Sequence, residues 1–302
     1  MRTSTARRMG TALAVAAALT SMTACSGSEG SDGPGKGEAG SAVGKASPVA
    51  ALKQVRQKTG SAHSAKVEGT VEMGSTVSMK QSGAVDWADG LSGEMTITYT
   101  GGAMGEALKK AGGDGSVQAR YFKDEYYANM GAGMAARTGG KSWIQYSYKD
   151  LAELGGASGD VMQDQIRTST PEQGVKALLA SGEVKKVGQE DVRGVSATHY
   201  SGTVDVAELN AKNSDLDEKQ LAEFKEQLAL AGVTTQTVDI WVDESDLLVK
   251  KSERGEMKTG TFNSTLFYSD YGTEVSVDKP AASDTVDFTE LLKQGSTPGA
   301  AS

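Results

Sequence analysis

The chain has 302 residues, with 31 lysines and arginines against 39 aspartates and glutamates, one cysteine and two histidines. Its net charge of −8 argues against nucleic acid as a partner, because that binding depends on basic side chains that neutralise phosphates. A single cysteine excludes an internal disulfide, so the fold must be stabilised by burial of apolar groups.

Residues 1–24 have the layout of an export signal. Arg2, Arg7 and Arg8 precede an apolar run that ends in small residues before Cys25. The run is shorter than the roughly 20 residues that span a bilayer, so we expect a signal peptide that is removed rather than a membrane helix. Loss of the three arginines would change the net charge from −8 to −11.

The sequence "MTAC", residues 22–25, resembles the lipobox of bacterial lipoproteins. Met22 stands where the lipobox usually has leucine. The resemblance implies that the signal is cut before Cys25 and that this residue becomes a diacylglyceryl cysteine with acyl chains such as palmitate. Two acyl chains suffice for stable anchoring, so we expect attachment to the outer face of the cell membrane. The alternative is an incidental free thiol near a cleavage site.

Composition divides the exported chain into three parts. Residues 25–46 comprise Cys25 and a linker rich in glycine and serine, which is typical of flexible chain. Residues 293–302 have a similar composition and are predicted to be a disordered tail. Residues 47–292 remain, and a β-rich chain of this length can form one domain.

Helical signals occur in three places. Residues 47–60 begin with Ser47 and Pro48, which suit a helix start, and have apolar residues on one face. Residues 171–181 follow a capping threonine, and residues 214–232 form an amphipathic pattern with leucines on one face. We therefore predict three helices.

Alternation of apolar and polar residues predicts a series of strands between these helices. The strand-forming stretches are residues 65–102, a hairpin in 117–130 that turns at 123–125, residues 141–148, a strand pair in 183–206 that turns near Gly194, and at least three strands in 234–277 with a turn at 243–246. The two acidic clusters, 215–218 and 243–246, lack the spacing of a calcium loop and are better explained as a helix start and a hairpin turn.

The two histidines offer little catalytic chemistry. His63 lies at a strand entry and His199 lies in the middle of a strand, and neither has a nearby nucleophile motif or a local carboxylate or thiol partner in sequence. We therefore expect that the protein is not an enzyme and that it uses no metal or other cofactor.

Four segments resemble a known family. Residues 140–154 ("GKSWIQYSYKDLAEL"), 187–206 ("VGQEDVRGVSATHYSGTVDV"), 238–251 ("VDIWVDESDLLVKK") and 271–288 ("YGTEVSVDKPAASDTVDF") are similar to successive blocks of the actinobacterial LppX/LprG-type lipoproteins. Those proteins are similar in fold to the LolA/LolB carriers. The resemblance implies an α+β fold, in which amphipathic helices cover the concave face of a strongly curved antiparallel sheet, an open half-barrel. It also implies an apolar cavity that binds lipid or glycolipid.

Alternation indicates which strand residues would face such a cavity. The candidates that share a face within their strands are Met95, Ile97 and Tyr99, then Val238, Ile240 and Val242, then Phe262, Leu266 and Tyr268. Tyr121 and Trp143 are added through the resemblance alone. The sequence thus predicts a membrane-anchored lipoprotein of the cell envelope that binds or carries lipid. The alternative is a tethered sensory or interaction module with a solid core.

Overall fold

The computed structural model describes residues 47–155, 170–181, 184–209, 217–230, 232–257 and 260–295. All of them belong to one compact unit, residues 45–302. The predicted signal peptide, Cys25 and the linker lie outside the described residues, as does the chain after Gly295.

The described strands form one open sheet of twelve. Their bounds are β1 (Ser64–Met73), β2 (Val77–Asp86), β3 (Ser92–Gly101), β4 (Ser116–Tyr121), β5 (Glu125–Asn129), β6 (Trp143–Ser147), β7 (Lys185–Val192), β8 (Val195–Asp205), β9 (Val233–Val242), β10 (Leu248–Met257), β11 (Gly260–Ser269) and β12 (Thr285–Asp287). The order across the sheet is β12-β6-β5-β4-β3-β2-β1-β11-β10-β9-β8-β7. Neighbouring strands are antiparallel except β12 and β6, which are parallel.

Helices pack on one face of the sheet, which we call the inner face. Their bounds are α1 (Pro48–Ser61), α2 (Gly102–Lys110), α3 (Ala132–Ala135), α4 (Tyr148–Gly155), α5 (Pro171–Ala180), α6 (Glu218–Leu230) and α7 (Phe288–Gly295). The predicted fold class, an α+β domain with amphipathic helices on an open antiparallel sheet, is confirmed. No helix in the described ranges is long and apolar enough to cross a bilayer.

The three predicted helices form as α1, α5 and α6. In α1, the Ser47 side chain accepts a hydrogen bond from the Ala50 N–H at 3.2 Å, which satisfies one of the free donors of the first turn. Helix α2 was not predicted, although "AMGEALKK" is rich in good helix formers, because the glycines on either side are typical of a connection. Helix α7 extends to Gly295 and so passes the predicted domain end at residue 292.

Helices α1, α5 and α6 close over one part of the inner face. We call this packed region the helix-covered cluster; its fully or nearly fully buried members include Leu52, Val55, Ala65, Val175, Leu178, Leu179, Tyr200, Val204, Leu221, Phe224, Leu228, Val238, Ile240, Val242 and Tyr268. Gly202 of β8 allows the close approach of α5, because a Cβ there would lie 2.7 Å from Leu178 Cδ1. This part of the core is therefore tightly filled.

A second cluster occupies the inner face at the other end of the sheet. We call it the tyrosine cluster; its members are Val117, Ala128, Ile144, Tyr146, Tyr148, Leu151 and Val286, with Ile97, Tyr99, Leu108, Tyr126, Met130, Phe288 and Leu291 partly buried against them. Helices α2, α4 and α7 contribute to it. A larger fraction of its side chains is aromatic, and a smaller fraction is branched aliphatic, than in the helix-covered cluster.

On the outer face, the end of the β7–β8 hairpin continues past β9 and folds back over the sheet. Val192 and Ala197 pack there with Trp241 and Val249. At the hairpin turn, Arg193 Nη1 lies 2.8 Å from a Glu68 carboxylate oxygen on β1. The outer face therefore has a small apolar cluster of its own, separate from the two inner ones.

The segment of residues 270–284, which we call the strap, connects β11 at the middle of the sheet to β12 at its edge. Near its start, the Ser64 hydroxyl donates to the Thr273 carbonyl at 2.6 Å. Further along, Arg120 Nη1 donates to the Asp278 carbonyl at 3.0 Å, and Lys279 pairs with Glu125. The strap is thus held against β1, β4 and β5, which come much earlier in the sequence.

Candidate functional site

A cavity of about 240 Å³ lies on the inner face, over β3–β6 and under α2. The residues that line it are Ile97, Tyr99, Met104, Leu108, Val117, Ala119, Tyr121, Tyr126, Ala128, Met130 and Tyr146. None of these lining residues carries a charge. The arrangement is therefore suited to an apolar guest.

Two alanines create the space. Ala119 of β4 and Ala128 of β5 lie directly opposite each other on the inner face, and both are almost fully buried. Their neighbours in the same row are Met95 and Ile144. Two methyl groups in the middle of a row of longer side chains leave room above them, which helix α2 covers without filling.

Three tyrosines form one wall of the cavity. Tyr121, Tyr126 and Tyr146 are cross-strand neighbours on β4, β5 and β6. The ring centroids of Tyr121 and Tyr126 are 6.0 Å apart, and those of Tyr126 and Tyr146 are 4.6 Å apart with an interplanar angle of 5°. Phe288 of α7 continues the row, 4.8 Å from the Tyr146 ring. Stacking of this kind stabilises the wall beyond the area it buries.

The hydroxyls of this wall are protonated at physiological pH. Burial raises the pKa of Tyr121 to about 12 and that of Tyr146 to about 12. The pKa of Tyr126 is also raised, first by burial and then by the neighbouring phenols, with Tyr146 foremost. Each phenol is therefore available as a neutral hydrogen-bond donor.

Helix α2 forms the opposite wall. Leu108 is partly buried in the tyrosine cluster, whereas Met104, which also lines the cavity, is 46% exposed. A side chain that contacts both the cavity and solvent marks the rim of the opening. Methionine suits this position because its flexible side chain adapts to irregular apolar surfaces.

The structure divides the predicted cavity residues into two groups. Ile97, Tyr99 and Tyr121 line the cavity. The others on the inner face pack outside it: Met95, Val238, Ile240, Val242 and Tyr268 are buried in the helix-covered cluster, Leu266 packs against that cluster, and Phe262 lies on β11 at the row of Met73 and Gly255. Alternation predicted which residues of a strand lie on the same face of the sheet. It did not predict where the helices cover that face.

Trp143 lies on the outer face and does not line the cavity. Ile144, the next residue, points to the inner face in the tyrosine cluster, so strand alternation places Trp143 on the opposite side. Its ring lies under the Arg120 guanidinium, 4.7 Å from ring centroid to Cζ. Trp143 was included through the resemblance, and the alternation of β6 would have excluded it.

The two alanines, Tyr126 and Tyr146 were not among the residues predicted to line a cavity. The signal was present in the hairpin of residues 117–130, where Ala119 shares its facing with Tyr121, and Tyr126 shares its facing with Ala128. A small residue beside a large aromatic one, repeated on two paired strands, indicates a cavity next to a wall.

His199 lies on the outer face and has partners that the sequence did not reveal. Its Nδ1 is 2.8 Å from Glu190 Oε1 and its Nε2 is 2.9 Å from Asp239 Oδ1, while its ring stacks on Trp241 at 4.2 Å between centroids. Neither carboxylate is close to His199 in sequence, and the pairing of β7 and β9 with β8 brings both of them to it. Among the described residues, no group of three or more histidine, cysteine and acidic side chains is placed to hold a metal ion.

The domain is thus of the α+β class, with an open, mostly antiparallel sheet and an uncharged cavity on its inner face. No protein-family model matches the chain. It is 84% identical over 261 residues to an uncharacterized 31.2 kDa protein of Streptomyces griseus from the rplA-rplJ intergenic region, covering 86% of each chain. It is 44% identical over 312 residues to the Streptomyces coelicolor protein named putative lipoprotein SCO4650, covering 98% of this chain and 100% of that one. The chain belongs to the family of these two Streptomyces proteins.

Solved structures include two proteins of the type that the sequence resembles. Lipoprotein LppX of Mycobacterium tuberculosis is 16% identical, with a TM-score of 0.47 over 76% of this chain and 98% of that one. LprF of Mycobacterium bovis is 16% identical, with a TM-score of 0.43 over 76% of this chain and 97% of that one.

Proposed function

We propose that the protein is a membrane-anchored lipoprotein of the cell envelope that binds or carries lipid in the cavity under α2. The observation that carries the proposal is the uncharged space of about 240 Å³ between the sheet and α2. Protein interiors keep few voids larger than a water molecule. A lined, uncharged space with an exposed methionine at its rim is the feature expected of a binding site for apolar ligands.

The volume limits the guest. At about 30 Å³ for each water-sized unit, a space of about 240 Å³ holds roughly eight such units, and a methylene group is of similar size. Burial of eight methylenes would contribute about 6 kcal/mol before the costs of association are subtracted. A segment of one chain, rather than two full acyl chains, is the occupant that fits.

A cavity-filling variant tests the proposal. Ala128→Phe should abolish binding of a fluorescent single-chain lipid probe with little loss of thermal stability, because the ring would enter existing space. The matched control is Ala65→Phe, which places the same ring on the inner face of β1 in the helix-covered cluster, where Ala65 is fully buried. Overpacking there should cost about 1–3 kcal/mol or more.

The two variants also separate the carrier from the alternative module. If Ala128→Phe destabilises the protein as much as Ala65→Phe does, and the wild type neither binds the probe nor co-purifies with lipid, the core is solid. A tethered sensory or interaction module would then be the better description.

The anchoring part of the proposal rests on Cys25, which lies outside the described residues. It is supported by the position of Cys25 after the export signal and by the name of the relative that is 44% identical. Cys25→Ser should leave the folded domain intact and move the protein from the detergent phase to the aqueous phase in a phase-partition assay. Unchanged partitioning of this variant would contradict anchoring.

A further inference from the structure

We propose that the cavity selects a neutral single-chain lipid with a hydroxyl, ether or carbonyl oxygen in its buried part, and that Tyr126 is the specificity-determining residue. This inference rests on the proposed function of the same cavity. It names the chemistry of the ligand, which neither the fold nor the relatives supply.

The absence of charge among the lining residues excludes an ionic group from the buried part of the ligand. The lining consists of aliphatic side chains, methionines and tyrosines. A carboxylate or phosphate moved into such surroundings without a cationic partner would lose its hydration at a cost of many kcal/mol. Any charged headgroup therefore stays at the rim, where Met104 is exposed.

A pure hydrocarbon is also a poor fit, because it would leave the phenols without acceptors. Within the described part of the chain, the hydroxyls of Tyr99, Tyr121, Tyr126 and Tyr146 donate to no protein group. None of these four oxygens is among the fully buried, unpartnered polar atoms of the described residues, so water can reach them when the cavity holds no guest. A guest that fills the cavity without bringing an oxygen would remove water from these donors and offer nothing in return.

The phenols converge on Tyr126. Its ring lies between those of Tyr121 and Tyr146 in the stacked row. The ring of Tyr148 also stacks on it, with 6.0 Å between the ring centroids. A ligand oxygen in front of Tyr126 can therefore be approached by more than one neutral donor.

The probes are three molecules of the same chain length, chosen to match about eight carbons: 1-octanol, octanoate and n-octane. Their affinities for the full chain are measured by displacement of a neutral solvatochromic dye. We expect 1-octanol to bind at least about tenfold more tightly than octanoate at neutral pH. In Tyr126→Phe, the affinity for 1-octanol should fall about tenfold, the effect of one hydrogen bond to an otherwise buried group, while the affinity for n-octane should stay the same or rise.

The matched control is Tyr127→Phe. Tyr127 follows Tyr126 on β5 but points to the outer face, where it packs edge-on against Phe122 and lies opposite Arg120. Tyr127→Phe removes the same kind of hydroxyl as Tyr126→Phe, but on the face away from the cavity. It should therefore change none of the three affinities. If Tyr126→Phe does not fold, as judged by circular dichroism, Tyr146→Phe replaces it with the same expectation.

The outcomes separate the two proposals. Binding of octanoate as tightly as 1-octanol, or an unchanged affinity of Tyr126→Phe for 1-octanol, would overturn the selection for a neutral oxygen and leave the cavity as a general apolar site. Failure of all three probes to displace the dye, n-octane included, would instead overturn the proposed function itself.

Discussion

The two inner clusters fill the space between sheet and helices in opposite ways. In the helix-covered cluster, branched residues such as Val238 and Ile240 meet Leu178 from α5, and all three are fully buried. In the cavity lining beside the tyrosine cluster, alanines alternate with tyrosines under the nine-residue helix α2. One continuous sheet therefore has a closely packed part and a part with a cavity. Which of the two forms depends on the size of the side chains in each cross-strand row of the inner face.

The largest expected contrast between the two parts comes from shortening a leucine in each. Leu178→Ala should lower the free energy of unfolding by about 2–5 kcal/mol, because it opens a void in a closely packed region. Leu108→Ala should cost about 1 kcal/mol or less, because Leu108 already borders empty space and is only partly buried. Thermal or urea denaturation measures both, and equal losses would contradict the contrast.

A substitution on the outer face is expected to have an intermediate effect on the free energy of unfolding. It should lower stability without changing binding. His199→Ala would leave the Asp239 carboxylate, 6% exposed, with Arg254 at 3.1 Å and without the imidazole. We expect a loss of about 1–3 kcal/mol, the cost of removing a partner from a buried polar group.

Probe binding by His199→Ala should be unchanged, because the cavity lies on the other face. His199→Gln, which can retain one of the two hydrogen bonds, is the control and should lose less stability. Loss of probe binding by a folded His199→Ala protein would show that the outer face contributes to function.

The smallest effect concerns the helix that ends the aromatic wall. Asp287 Oδ1 accepts hydrogen bonds from the Thr289 N–H at 2.7 Å and the Glu290 N–H at 3.3 Å, and so caps α7. Burial alone would raise the pKa of Asp287, but the hydrogen bonds from Thr289 and Glu290 and the nearby Lys293 outweigh it and lower the pKa below its usual 3.8.

Since the folded-state pKa of Asp287 is lowered, its stabilisation is present above pH 3.8 and is lost as the pH falls through the lowered value. Asp287→Ala should cost about 0.5–2 kcal/mol at pH 7, and Asp287→Asn should cost less because it keeps the acceptor. Urea titrations at pH 7 and pH 3 measure the difference, which should shrink at the lower pH. An equal cost at both pH values would contradict the role of the charge.

Local patterns predicted most of the secondary structure. Helix α6 follows from the spacing of Leu221, Phe224 and Leu228, all of which are buried, and the turn at Asp243–Asp246 follows from a cluster of residues that favour turns. These features depend on neighbours in sequence, so a single chain contains the information for them.

The cavity could not be predicted in the same way, because it depends on packing between elements that are far apart in the sequence. Alternation correctly gave Val238, Ile240 and Val242 one face, but whether that face meets a tight helix or an open space is decided by where α5 and α6 pack. Helix α2, which covers the cavity, was hidden by the glycines at its ends. The covering elements of a sheet are therefore harder to predict than the faces of its strands.

The strap has a consequence for the order in which the domain is completed. A chain that is synthesised from its N-terminus forms β1–β6, and with them all the residues that line the cavity, long before the strap exists. Yet β12 pairs with β6 only after the strap has brought the C-terminal residues back to that edge, and Phe288 joins the tyrosine row with them. The cavity is thus begun early in synthesis and finished last, so a chain that lacks its final residues would have the lining of the cavity without the end of its aromatic wall.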